Sequence, residues 1–160
     1  MQPTKKISNN CAAPLTCLTE SRGTDAVSER NKSLVCRFVD QMMNKGNLEV
    51  IDELIAPDFV DHDAPADQTA GPEGVKRTLE AVHKSLTDFR VLTDEIIAEG
   101  DRVVTRHTAE ATHVGPFLGF AATGRRLRWT SVSIYHIVDG RIAERWGLVD
   151  YRSLQRQLAP

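Results

Sequence analysis

Apolar positions along the 160-residue chain follow a helical spacing in the first half and a two-residue spacing in the second. Leu34, Val35, Phe38, Val39, Met42 and Met43 recur at i, i+1, i+4 and i+5, which makes one broad apolar helix face. Ser28 suits the N-cap of this helix and Gly46 its stop. Leu48, Ile51, Leu54 and Ile55 predict a second, shorter helix ended by Pro57. A third helix begins after Gly71, with Pro72 at the first helical position and Glu73 at the positive end of the dipole. Its stripe is Val75, Leu79, Val82 and Leu86, and His83 falls just off it, where solvent is expected. Met42 and Met43 suit core filling, with the lining of a ligand pocket as the alternative.

After Asp88 the period becomes two. Residues 89–98 read as a strand, Glu99-Gly100-Asp101 as a turn and residues 102–114 as a second strand. On that second strand Arg106, Thr108, Glu110 and Thr112 share one face, and Thr105, His107, Ala109, Ala111 and His113 the other. Polar groups on both faces suggest that one of them lines a wet cavity; an exposed sheet face would look similar. Residues 126–150 predict a long hairpin around Val138-Asp139-Gly140-Arg141, where Gly140 supplies the positive φ of a short turn. The connection of residues 115–125 is rich in Gly with apolar Phe117, Leu118 and Phe120, and reads either as a flap over a pocket mouth or as an arch capping the core. A short helix over residues 151–158 closes the chain, with Asp150 placed to cap it. Three helices followed by four long strands give an α+β class, in which a strongly curved antiparallel sheet wraps the helices around an interior pocket.

Composition narrows the function classes. Hydrophobic residues at 41% and charged residues at 26% fit one soluble domain with a core. The net charge of −2 and the scattered Lys and Arg argue against nucleic acid. No apolar run approaches the roughly 20 residues needed to span a bilayer. Cys11, Cys17 and Cys36 form no CxxC, so reduced thiols, a cytoplasmic setting and no metal site are expected. Residues 1–27 read as a disordered tail without the apolar centre of a secretory signal, leaving residues 28–160 as the domain. The glycines of residues 115–125 lack phosphate-cradling spacing, and no cofactor is expected.

Candidate chemistry starts at Asp61-His62-Asp63, since a carboxylate can hold an imidazole in one tautomer and raise its basicity. Neighbours on a strand face opposite ways, so a cavity would see either His62 or the two aspartates. A polar turn is the plainer reading.

The segments LEVIDELIAPDFVDHD, THVGPFLGFAATGRRL, IYHIVDGRIAERWGLVD and YRSLQRQL, taken in order, resemble the SnoaL-like polyketide cyclase (ester cyclase) group of the NTF2-like superfamily over residues 30–158. The resemblance implies a cone-shaped α+β barrel, a deep apolar pocket, homodimers through the sheet and acid–base chemistry without a cofactor. It also implies a general acid/base aspartate on the last strand, and the shared DGxI turn puts that position at Gly147. The same register places the family's Gln and His on Ser131 and Ser133, and its Asn on Asp61. With the carboxylate absent, His62 and Asp61 are the first catalytic candidates. His113, Arg106, Glu110, Trp129, Ser131, Ser133, Tyr135, Gly147 and Phe117 are candidates for holding the substrate, with Asp63 as a further polar anchor. Glu144 and Trp146 are expected on the opposite sheet face, at a dimer interface. A small hydrophobic molecule is the expected partner, either turned over or simply bound; a structural dimer with a vestigial pocket is the third reading.

Overall fold

The computed structural model describes residues 23–64 and 69–159, with side chains from residue 26 onward. Helix α1 spans Gly23–Phe38 and continues into a widened π turn, Val39–Asn44. A 3-10 turn (Leu48–Val50) and the single-turn helix α2 (Ile51–Leu54) lead into strand β1 (Ile55–Asp61). Then follow α3 (Gly71–Ser85), β2 (Leu86–Glu99), β3 (Arg102–His113), β4 (Arg126–Val138), β5 (Arg141–Val149) and α4 (Tyr151–Leu158). The strands form one sheet in the order β1-β5-β4-β3-β2. It is curved but not closed, with β1 and β2 as its edges.

Four expectations are corrected at this level. Ser28 lies inside α1 instead of capping it, because the helix begins five residues earlier at Gly23. The second predicted helix ends at Leu54, and Ile55 already belongs to a fifth strand that runs parallel to β5. Pro57 and Asp58 interrupt the alternation of Ile55, Ala56 and Phe59, which is why β1 reads poorly as a strand even though all three apolar side chains are buried. His83 is half-buried instead of solvated, its ring set edge-on to Phe89 and against Gly46. Cys36 is disulfide-bonded, against the expectation of reduced thiols; Cys11 and Cys17 lie outside the described residues, as do residues 1–22 of the expected tail.

The helices pack on one face of the sheet. Val35, Phe38, Val39 and Met42 from α1 and its π turn meet Val75 and Leu79 of α3, and beneath them lie Leu86, Val91, Val103, Ala109 and Leu127 of the sheet. Two side-chain amides clamp this layer. Asn44 closes a two-way bond with the backbone of Val91, donating at 3.0 Å and accepting at 2.6 Å, and Asn31 donates to the Gly100 carbonyl in the β2–β3 turn at 2.9 Å. The β4–β5 turn has Asp139 at φ 49° and Gly140 at φ 74°, the double left-handed geometry that matches the twist of a two-residue hairpin. Past the turn, a one-residue register shift between His136 and Ile137 sets Ser133 opposite Gly147 and Tyr135 opposite Arg145.

Replacing Gly140 by Val places a β-branched residue in that left-handed position. We expect a loss of stability of about 1–3 kcal/mol by urea denaturation, with the folded spectrum unchanged.

Candidate functional site

Between the helices and the concave face of the sheet is a cavity of about 280 Å³. Phe38, Val39, Met43, Val75, Leu79, Val82, Phe89, Val91 and Trp129 supply apolar wall, and Phe117, Leu118 and Tyr151 also line it. Met43 of the methionine pair reaches the cavity, while Met42 is fully buried in the core. The stacked rings of Phe89 and Trp129, with centroids 6.0 Å apart, stiffen one side.

The polar lining comes from strand parity. Trp129, Ser131, Ser133 and Tyr135 of β4 face inward, together with Arg145 and Val149 of β5 and His107 of β3. Arg145 is the centre of this wall. Its Nη1 donates to both carboxylate oxygens of Asp61, at 2.9 and 3.2 Å, its Nη2 reaches Ser133 Oγ at 3.3 Å, and the Tyr135 hydroxyl lies beside it. The Asp61 pairing follows from the β1–β5 register, in which the two residues are direct neighbours. Burial works against the guanidinium charge, but Tyr135 and Asp61 more than offset it, so Arg145 stays charged. A β-carbon at Gly147 would overlap this guanidinium, with Arg145 Cζ only 2.6 Å away. The Gly147 amide donates to Asp63 Oδ2 at 2.6 Å, which holds the start of the following loop against β5.

His107 lies 4% exposed in the same wall. One ring nitrogen meets Thr105 Oγ1 at 2.7 Å and the other Thr93 Oγ1 at 3.3 Å. Burial first, and the Arg145 charge second, push its pKa down to about 4, so the ring is neutral near pH 7. A neutral imidazole held between two hydroxyls is a fixed dipole in the wall that can accept or donate a proton only through them.

A model of the SnoaL-like polyketide cyclase family matches residues 33–158. The chain belongs to that family. It is 28% identical over 124 residues to the aklanonic acid methyl ester cyclase AcmA of Streptomyces galilaeus, covering 76% of this chain and 86% of that protein. Among solved structures, TsrD from Streptomyces laurentii superposes with a TM-score of 0.76 at 28% identity, over 82% of this chain and 96% of that one. IdmH from Streptomyces antibioticus superposes with a TM-score of 0.70 at 30% identity, over 81% and 99%.

In this SnoaL-like chain the candidate residues divide between two faces. Asp61, Asp63, Trp129, Ser131, Ser133, Tyr135 and Phe117 line the cavity, and Gly147 stands beside it under Arg145. His62 does not. It lies on the outer face, its ring stacked on Trp146 at 4.4 Å and its Nε2 2.8 Å from Glu144 Oε2. Strand alternation turns it away from its neighbours, and its carboxylate partner is neither adjacent aspartate. Glu144 also meets His136 Nδ1 at 2.7 Å, and the two imidazoles hold its carboxyl below the usual range. Arg106 and Glu110 are likewise outside: Arg106 pairs with Asp94 and Glu95, and Glu110 with Arg126 and Arg128. His113 faces inward yet lies fully buried behind the wall, bonded to Thr123.

Arg145 and His107 are two polar cavity groups absent from the candidates read off the sequence. Both carried a usable signal: Arg145 shares the parity of Gly147, and His107 that of His113. Among the described residues, no group of three His, Cys, Asp or Glu is placed to hold a metal ion, and no helix is long and apolar enough to cross a membrane.

The depressed pKa of His107 links stability to acid. Between about 4 and the ordinary 6.5 the unfolded chain binds the proton and the folded chain does not. The contribution of neutral His107 is therefore fully present above pH 6.5 and lost as pH falls to 4. Its full size is about 3 kcal/mol. Urea denaturation at pH 7.5 and pH 4.5 should show a smaller acid loss for His107→Gln than for the unmodified protein; equal losses would contradict the burial argument.

Proposed function

We propose that this protein binds a small hydrophobic molecule of polyketide- or terpenoid-like character in the cavity and acts on it by acid–base catalysis from its own side chains. Cyclisation, isomerisation or hydration fits such a site. The observation that carries this reading is a cavity with apolar walls and a single polar wall containing an ion pair, Asp61 with Arg145, and a neutral imidazole, His107. Apolar walls would hold a ring system and keep water away, so polar groups act at low dielectric, where they count for more than in water. AcmA, at 28% identity, is named for cyclisation of a methyl ester, which agrees with a polyketide-like substrate. Asp61 is the carboxylate of the catalytic pair that lines the cavity, and we assign it the acid/base role; His62 is assigned none in turnover, since it faces the other way.

A binding role without turnover is the second reading. It is favoured by the way the polar wall satisfies itself, with Arg145 bonded to Asp61 and His107 to two threonines. Turnover of aromatic polyketide methyl esters, followed by chromatography with mass detection, separates the two. Asp61→Asn should lower kcat by about 100-fold or more and His62→Ala by less than about threefold. A full-rate Asp61→Asn variant would remove the assignment, and tight binding with no product from any ester would favour the binding role.

The partner we propose besides the ligand is a second copy of the chain, docked on the outer face of the sheet. Ile97 and Leu148 are 65% and 76% exposed there, beside exposed Val132 and Ile134. Such an apolar row is unusual on a monomer's surface. Light scattering after size exclusion should give twice 17.8 kDa, and Leu148→Glu should return it to the monomer mass; a monomeric unmodified protein would end the proposal.

A further inference from the structure

The charged groups that line the cavity are Asp61, Asp63 and Arg145; the Asp61 carboxylate pairs with Arg145 and its Oδ1 also accepts from the Asp63 amide at 3.2 Å. Their side chains keep 15% and 23% of their exposure, so the pair lies on the cavity surface and not within the packed core. Arg145 has five N–H groups, and its side-chain partners are Asp61, Ser133 and Tyr135. Donor capacity is left over for an incoming oxygen. Gly147, lacking a side chain, is what lets the guanidinium lie across β5 at this point.

We infer that the ion pair itself is the catalytic unit: Asp61 accepts a proton from carbon, and Arg145 takes the enolate oxygen of a substrate whose reacting group is an enolisable carbonyl. This deepens the proposed function and rests on it. In the step, a C–H bond next to the carbonyl breaks and its proton goes to an Asp61 oxygen. The electron pair forms the enolate C=C bond, and the carbonyl π pair moves to oxygen, beside Arg145. In a cyclisation the enolate carbon then bonds to a second carbonyl of the same molecule, and Asp61 returns the proton to the alkoxide. No further reactant is required.

Charge balance is the physical argument for the assignment. Before transfer Arg145 stands against the Asp61 carboxylate, and after it against the enolate, so the negative charge has a cation beside it at both ends of the step. A lone carboxylate would move its negative charge onto substrate without a counter-charge, which a low-dielectric site penalises. Neutral His107 adds no competing cation to the wall.

A merely structural ion pair between β1 and β5 gives a different pattern of results. The probe is 2-acetyl-1-tetralone, whose enol and enolate absorb differently, titrated while bound to the full-length protein. The unmodified protein should lower the probe's pKa by about one unit. Arg145→Met should bind the probe without the shift, and Arg145→Lys should retain part of it, which serves if the Met variant does not fold. Asp61→Asn leaves the cation uncompensated, so the enolate should bind about tenfold tighter than to the unmodified protein. The same variant should lose the catalysed exchange of α-hydrogen for deuterium on 1-tetralone, followed by proton NMR. Bound probe with an unshifted pKa, or weaker enolate binding in Asp61→Asn, overturns the inference and leaves the ligand-binding reading in place. Failure of the unmodified protein to bind the probe overturns both.

Discussion

Because β1 enters the sheet parallel to β5, Asp61 comes level with Arg145, and the ion pair between them determines where the cavity can have a polar wall. The pair depends on two further features. Gly147 must lack a side chain, since the guanidinium occupies the space its β-carbon would need. The one-residue shift between His136 and Ile137 must also be kept, since without it Glu144 would stand opposite Tyr135 in place of Arg145. The turn at Asp139 and Gly140 and the shift just beyond it therefore together place Arg145 in the wall. The electrostatic influence spreads through the wall: the charge of Arg145 helps keep His107 neutral, and Tyr135 and Asp61 together keep Arg145 charged.

Most of the architecture was legible because β3 and β4 alternate along an unshifted register. The spacing of Thr105, His107, Ala109, Ala111 and His113 identified a shared face, and that face is the inner one. The hairpin at Gly140, the third helix after Gly71 and the Asp150 cap, which accepts from Ser153 N at 2.9 Å, also followed from local chemistry. The parallel strand β1 did not. Parallel pairing joins residues 84 positions apart, as between Asp61 and Arg145, and no local pattern encodes that distance. The start of α1 was missed for a different reason: the apolar face begins at Leu34, whereas the helix already begins at Gly23.

The site was legible in parity but not in partnership. Alternation correctly sorted Ser131, Ser133 and Tyr135 from Glu144 and Trp146. It also stated that His62 and the flanking aspartates could not share a cavity; what it could not say was which of the two looks inward. The answer comes from the β1–β5 contact, where an aspartate has an arginine to meet inside and a histidine has a tryptophan and a glutamate to meet outside. Arg145 shares the parity of Gly147, but only the three-dimensional pairing with Asp61 gives its charge a place in the wall. The guanidinium fills the space of a side chain at Gly147, so the absence of one charge and the presence of another are a single structural fact.

Three consecutive residues then tie both faces of β5 to one short strand. Asp61 bonds Arg145 inside, His62 bonds Glu144 and stacks on Trp146 outside, and Asp63 takes the Gly147 amide. Each contact fixes a different direction, so together they leave β1 little freedom to rotate against β5. An ion pair whose side chains keep part of their exposure would ordinarily lose some of its geometric definition to side-chain motion. Here the backbone beside Asp61 is pinned to β5 by the His62 N–H, which donates to the Arg145 carbonyl at 2.9 Å, and this supplies the positional precision that acid–base chemistry requires of a group on an edge strand.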